Sequence, residues 1–303
     1  MRAGETDVTL AQYLDRSGLD LEDIYENNHS WSELRESAGL PVAVAGPEND
    51  RLRRGCGRML HIDDLSRIDT YHKFLSSGPP SVNALSTHDQ RLLRMLVVSV
   101  TQSALKKETN LAAATRLLWA HPQIIAELRE TLEALRQTVN HIHYPIGEKT
   151  EVPLRVHARY TRTEILSAFG VGDGALPPDW REGVRFVRDA RADLFVFTLD
   201  KTNGQFSPTT RYRDYAISRD LIHWESQSTV RETSETGQRY QNHVSMGTSV
   251  MLFARLRSDD RAFWFLGPVT YASHSGELPM AITWKLHHQL SGDLFPQFAA
   301  AVA

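Results

Sequence analysis

The first 145 residues carry their apolar side chains in steps of three and four. Residues 63–76 place Leu65, Ile68, Tyr71 and Leu75 on one face of a helix. Residues 87–104 do the same with Leu92, Leu93, Leu96 and Val100, and 122–139 with Ile125, Leu128, Leu132, Leu135 and Val139. The ends of these segments are marked as well. Ser30 followed by Glu33 is a capping box before a short helix that Gly39 stops. Pro47 opens a helix with Leu52, Met59 and Leu60 on one face, Ser86 can cap 87–104, another helix is expected near 111–119, and Pro122 suits a first helical turn. Stripes of this kind predict helix packed on helix.

After Tyr144-Pro145 the period changes. Residues 146–153 look like a linker. Thr161 with Glu164 forms a second capping box, opening a helix that Gly170 closes, and 171–183 is a loop rich in Gly, Pro and Asp. Short β-branched or aromatic runs follow at 184–187, 194–199, 221–226, 249–255, 263–266, 268–272 and 280–286. Turn signals such as Asn203-Gly204 and Ser275-Gly276 separate them. The expected fold class is α+β: a helical domain over 1–145, then a β-rich recognition domain over 146–303. The latter would hold a mixed, strongly bent sheet or open pseudo-barrel with one or two helices.

Composition narrows the function. Lys and Arg number 34 against 37 Asp and Glu, a net charge of −3, which excludes a uniformly basic coat but not a local basic face. The single cysteine, Cys56, excludes an internal disulfide and suits a reducing compartment. The N-terminus lacks the apolar run of a signal peptide, and no window approaches the roughly 20 apolar residues of a membrane span. The expectation is a cytoplasmic protein.

Catalytic chemistry finds little support. Gly55-Cys56-Gly57 lacks the lysine and Ser/Thr of a phosphate-binding loop. His141-x-His143 and His287-His288 have spacings used by zinc, but each lacks a second pair. His61 with Asp63-Asp64 reads as a helix N-terminus. Asp200, Lys201 and Asp214 supply the residue types of a carboxylate nuclease, yet a turn at Asn203-Gly204 accounts for the first two. No catalytic residue, metal or cofactor is expected, and the chain reads as not an enzyme.

Recognition is better supplied. Arg159, Tyr160 and Arg162 lead into the helix at 162, where guanidinium groups favour a phosphate. Ser207, Thr209, Thr210, Arg211 and Tyr212 offer hydroxyls, a cation and a ring. His223 and Gln227 share one strand face with Glu225, while Trp224 and Ser226 share the other. Arg239, Tyr240 and His243 add another arginine–aromatic step. Together these residues are the expected nucleic-acid-binding set. The plainer alternative is that Trp224, Tyr215 and Tyr240 are core and the arginines are solvated.

HARYTRTEILSAFG (157–170), REGV (181–184), LFVFTLDKTNGQFSPTTRYRDYAIS (194–218), HWESQS (223–228), GQRYQNH (237–243), VMLFAR (250–255), FLGPVTY (265–271) and PMAITWKL (279–286) carry a resemblance. In order and spacing they resemble the domain of unknown function at the C-terminus of many bacterial superfamily II helicases. The helical half, with DLEDIYENNHSWSELRESAGL (20–40), RMLHIDDLSRIDTY (58–71) and QRLLRMLV (90–97), resembles the region between motor and domain in those proteins. The parents often carry a phospholipase-type nuclease and are associated with restriction and phage defence. Neither motor nor nuclease motif is found in this chain. The resemblance therefore implies a DNA-binding accessory module, with duplex DNA as partner and a modified base or backbone as the feature it would read. The alternative it implies is a scaffold docking onto a separate helicase or nuclease subunit.

Overall fold

The computed structural model of the chain describes residues 8–147, 149–199 and 214–300. The chain forms two compact units. The first comprises Met1–His141, Thr150–Pro153 and Thr163–Pro178; the second comprises Ile142–Lys149, Leu154–Arg162 and Asp179–Ala303.

The first unit is helical: α1 (Leu10–Ser17), α2 (Leu21–Tyr25), α3 (Trp31–Ser37), α4 (Asn49–Cys56), α5 (Leu65–Leu75), α6 (Thr87–Thr101), α7 (Leu111–Trp119) and α8 (Pro122–Thr138). Its caps follow the sequence. Ser30 accepts from the Glu33 backbone N–H, Asp64 from Ser66 and Arg67, Ser86 from Asp89, and Asn110 from Ala113. Every residue from Leu92 to Thr101 is buried, so α6 is enclosed all round. Gly55 belongs to the α4–α6 contact, because a Cβ there would lie 2.3 Å from the Val100 carbonyl oxygen. Arg58 then donates to the carbonyls of Ser99 and Val100 at 2.7 and 2.9 Å.

Helix α9 (Arg162–Ala168) follows the strands β1 (Tyr144–Pro145), β2 (Arg155–Val156) and β3 (Arg159–Thr161). Thr161 ends β3, and Glu164, expected as half of a capping box, is buried. The Glu164 carboxylate lies 2.6 Å from His61 Nε2 and 3.4 Å from Arg67 Nη1. Arg67 is itself fully buried.

The second unit is built on a mixed sheet. Its strands are β4 (Val184–Val187), β5 (Ala192–Thr198), β6 (Tyr215–Ala216), β7 (Leu221–Glu225), β8 (Ser249–Arg255), β9 (Ala262–Ser275) and β10 (Ala281–Leu286), with α10 (Glu235–Asn242) and α11 (Leu294–Ala300). The order is β4-β5-β8-β9-β10-β7-β6, with β3 also on β9. Only β5 and β8 run parallel among these pairs, and the sheet is not closed into a barrel. The expected runs 263–266 and 268–272 are one strand, β9, which adopts φ +95° at Gly267. A Cβ at Gly267 would also meet the Val156 methyls at 3.0 and 3.1 Å, so glycine serves both backbone and packing there. The fold class is α+β, with the helices mainly N-terminal.

The two faces of the sheet differ. One carries Phe195, Phe197, Val250, Leu252, Ile282 and Trp284, and these pack with Tyr240 of α10 and Leu294 and Phe298 of α11. On the opposite face burial is uneven. All seven residues of β5 are buried, whereas β7 and β10 alternate between buried and accessible positions. Alternation is the mark of a strand covered on one side only.

Candidate functional site

The structure sorts the expected binding residues. Tyr160, Tyr240 and His243 are buried. The Tyr160 hydroxyl accepts from the Arg155 backbone N–H at 2.9 Å. Tyr240 packs edge-on against Phe195 with centroids 5.0 Å apart. His243 sits with one ring nitrogen 3.0 Å from the Tyr240 carbonyl oxygen and the other 3.1 Å from that of Val269. All three are part of the packed interior: Tyr160 from β3, which pairs with β9, and Tyr240 and His243 from α10 and its C-terminal end. Arg239 is committed as well. It makes a two-pronged ion pair with the buried Asp193, at 2.8 and 3.0 Å, and lies 4.4 Å over the Phe186 ring. Hydrogen bonding to Asp193 holds the Arg239 guanidinium above its ordinary pKa. The pair fastens α10 to β5. Ser207, Thr209, Thr210, Arg211 and Tyr212 lie outside the described residues.

Four expected residues stay accessible. Gln227 is exposed beyond β7, and His223 is half-buried and stacked on Tyr215 at 4.8 Å. Arg159 is half-buried beside the Trp264 ring at 5.3 Å. Arg162 has an informative setting. Its Nη1 donates to the Trp180 carbonyl at 2.8 Å, and its guanidinium lies 5.5 Å from the Trp180 ring and 5.6 Å from Phe263.

A second arginine shares that phenylalanine. Arg255 lies 4.8 Å from the Phe263 ring, donates from Nε to Thr198 Oγ1 at 2.9 Å, and donates from Nη1 to the Asp260 carbonyl at 2.6 Å. Strand pairing places Thr198 opposite Arg255. Burial lowers the pKa of both arginines; Arg255 lowers that of Arg162 further, and Glu182 opposes this. For Arg255 the opposing charges are Asp260 and Asp259. Among the described residues neither arginine forms an ion pair with a carboxylate. Beside them, the Trp180 indole is 6% exposed and its Nε1 has no hydrogen-bond partner. The set is therefore rich in donors: unused guanidinium N–H groups of two like-charged residues and an orphan indole N–H. An anion beside the two guanidinium groups would accept from their unused N–H groups and would relieve the repulsion between the arginines.

Sequence reasoning found Arg162 and missed Arg255, Thr198, Phe263 and Trp180. A signal was available. Thr198 and Arg255 are polar residues that follow the apolar stretches 194–197 and 250–254, a position where a side chain can leave the core. The His pairs noted in the sequence do not become a metal centre: among the described residues no group of three or more His, Cys, Asp or Glu side chains is placed to hold an ion. No described helix is long and apolar enough to cross a membrane. No curated protein matches the chain. Residues 154–298 match a family described as a domain of unknown function (DUF3427).

Proposed function

We propose that the chain is a non-catalytic DNA-binding module in which Arg162 and Arg255 grip a backbone phosphate. The observation that carries this reading is the sharing of Phe263 by two half-buried arginines without a carboxylate partner. A phosphate fits because it accepts several charge-assisted hydrogen bonds at once. The likeness of the sequence to helicase-associated regions supports placing the module in a DNA-processing system of restriction or phage defence. Its local rather than global basic character fits a reader that works beside other subunits.

The test is fluorescence anisotropy of the full chain with labelled DNA across a salt series. Arg162→Ala and Arg255→Ala should each weaken binding and flatten the log–log salt slope by about 0.9, the value for one phosphate on duplex DNA. Unchanged binding by both variants, or no binding by the parent at low salt, would overturn the reading.

A further inference from the structure

The face of the sheet opposite α10 and α11 carries a second feature, at the far side from the clamp. Tyr215 pairs with His223, His223 with Thr283, and Thr283 with Ser273, so four polar side chains on four neighbouring strands form one row. At a strand spacing of about 4.8 Å the row spans roughly 14 Å. Lys285 lies two residues along β10 on the same face and is exposed. Tyr215, His223, Thr283 and Ser273 make no side-chain hydrogen bond with other described residues, and the first two rings stack at 28°. The clamp lies on this same face. Thr198 and its partner Arg255 alternate with Phe197 and Ala254, which point into the helix-covered core, just as Thr283 alternates with Ile282 and Trp284.

We infer that the row receives the bases of single-stranded DNA. This rests on the nucleic-acid reading of the arginine clamp and adds which form of nucleic acid is held. Hydroxyl and imidazole groups both donate and accept, which matches the mixed edges of nucleobases. The Tyr215–His223 stack offers a π surface, and Lys285 a single cation for a passing phosphate. In a duplex the base faces are already stacked on one another and the pairing edges are occupied, so such a row would have nothing to hold. An unpaired strand presents both.

The experiment measures binding of the full chain to a labelled 12-nucleotide pyrimidine strand and to the same sequence as a duplex. The single strand should bind at least tenfold more tightly. Tyr215→Ala and Thr283→Val should weaken it about tenfold and severalfold, leave duplex binding within twofold, and keep the melting temperature of the parent. Equal affinity for both forms, with neither variant discriminating between them, would overturn this inference. If Arg162→Ala still lost binding in that case, the phosphate clamp would stand. Absence of binding to either form would remove both.

Discussion

His157 is buried and held at φ +73°, a conformation that most side chains avoid. Burial lowers its pKa from 6.5 to about 4, and the neighbouring His288 and His143 push the same way, while the Ile142 carbonyl and Asp293 oppose them. The unfolded chain takes up this proton near its ordinary pKa and the folded chain only near 4. Between those values the unfolded state binds more protons, so stability is full above about pH 6.5 and is lost as pH falls towards 4. The loss attributable to His157 is up to about 3 kcal/mol. His157→Asn removes the titration and tolerates the positive φ. Urea melts at pH 7.5 and 4.5 should show a smaller acid loss for this variant than for the parent; equal losses would mean another group is responsible. At this scale the sequence is legible in chemistry and not in direction. Arg162, Tyr160, Tyr240 and His243 were selected by residue type alike, yet the first stays accessible and the others are buried. Arg255 was overlooked because it reads as the tail of an apolar run.

Among the elements, α9 shows a residue of a local motif drawn into the core. Thr161 and Glu164 have the spacing of a capping box, but Glu164 is buried against His61 and Arg67, and Ile165, Leu166 and Phe169 are buried around it. Removing the carboxylate of such a buried ionic group takes from Arg67 and His61 the charge they both face, while Asp63 lies farther from Arg67, at 4.0 Å. Glu164→Ala should therefore cost about 3–5 kcal/mol in denaturant unfolding. Arg51→Ala, which breaks the solvent-facing pair with Glu48 at 3.1 Å, should cost less than about 1 kcal/mol. Similar losses from the two would remove α9's special dependence on its ionic anchor. Helices α5, α6 and α8 were readable because their stripes are long and capped. Helix α10 was not: Ser234 accepts from the Gly237 N–H to start it, but a segment with only Tyr240 and Gly237 buried has no stripe to read. The two expected runs join into β9 at Gly267, where a glycine that usually ends a strand continues one.

Across the whole molecule the chain passes from one unit to the other after residues 141, 149, 153, 162 and 178. The change of period near 145 predicts that limited proteolysis cuts first around 145–153 or in the loop at 171–180. The described division adds that a cut there does not sort the units. A fragment beginning near residue 149 still carries 150–153 and 163–178, which belong to the helical unit. Protein nicked at 146–149 should give two bands on a denaturing gel and one peak in native gel filtration. Two native peaks would show that 163–178 is dispensable to the first unit.

The interleaved path also bears on inheritance. A gene cut at 141 deprives the helical unit of two of its pieces, and a cut at 178 deprives the sheet unit of two of its own. No single recombination breakpoint leaves both units whole. The matched region, 154–298, begins inside this interleaved stretch and carries α9 with it. A lineage that moved only that region into a new host protein would need to provide a fresh seat for Glu164. Transfer of the entire chain requires no such adaptation.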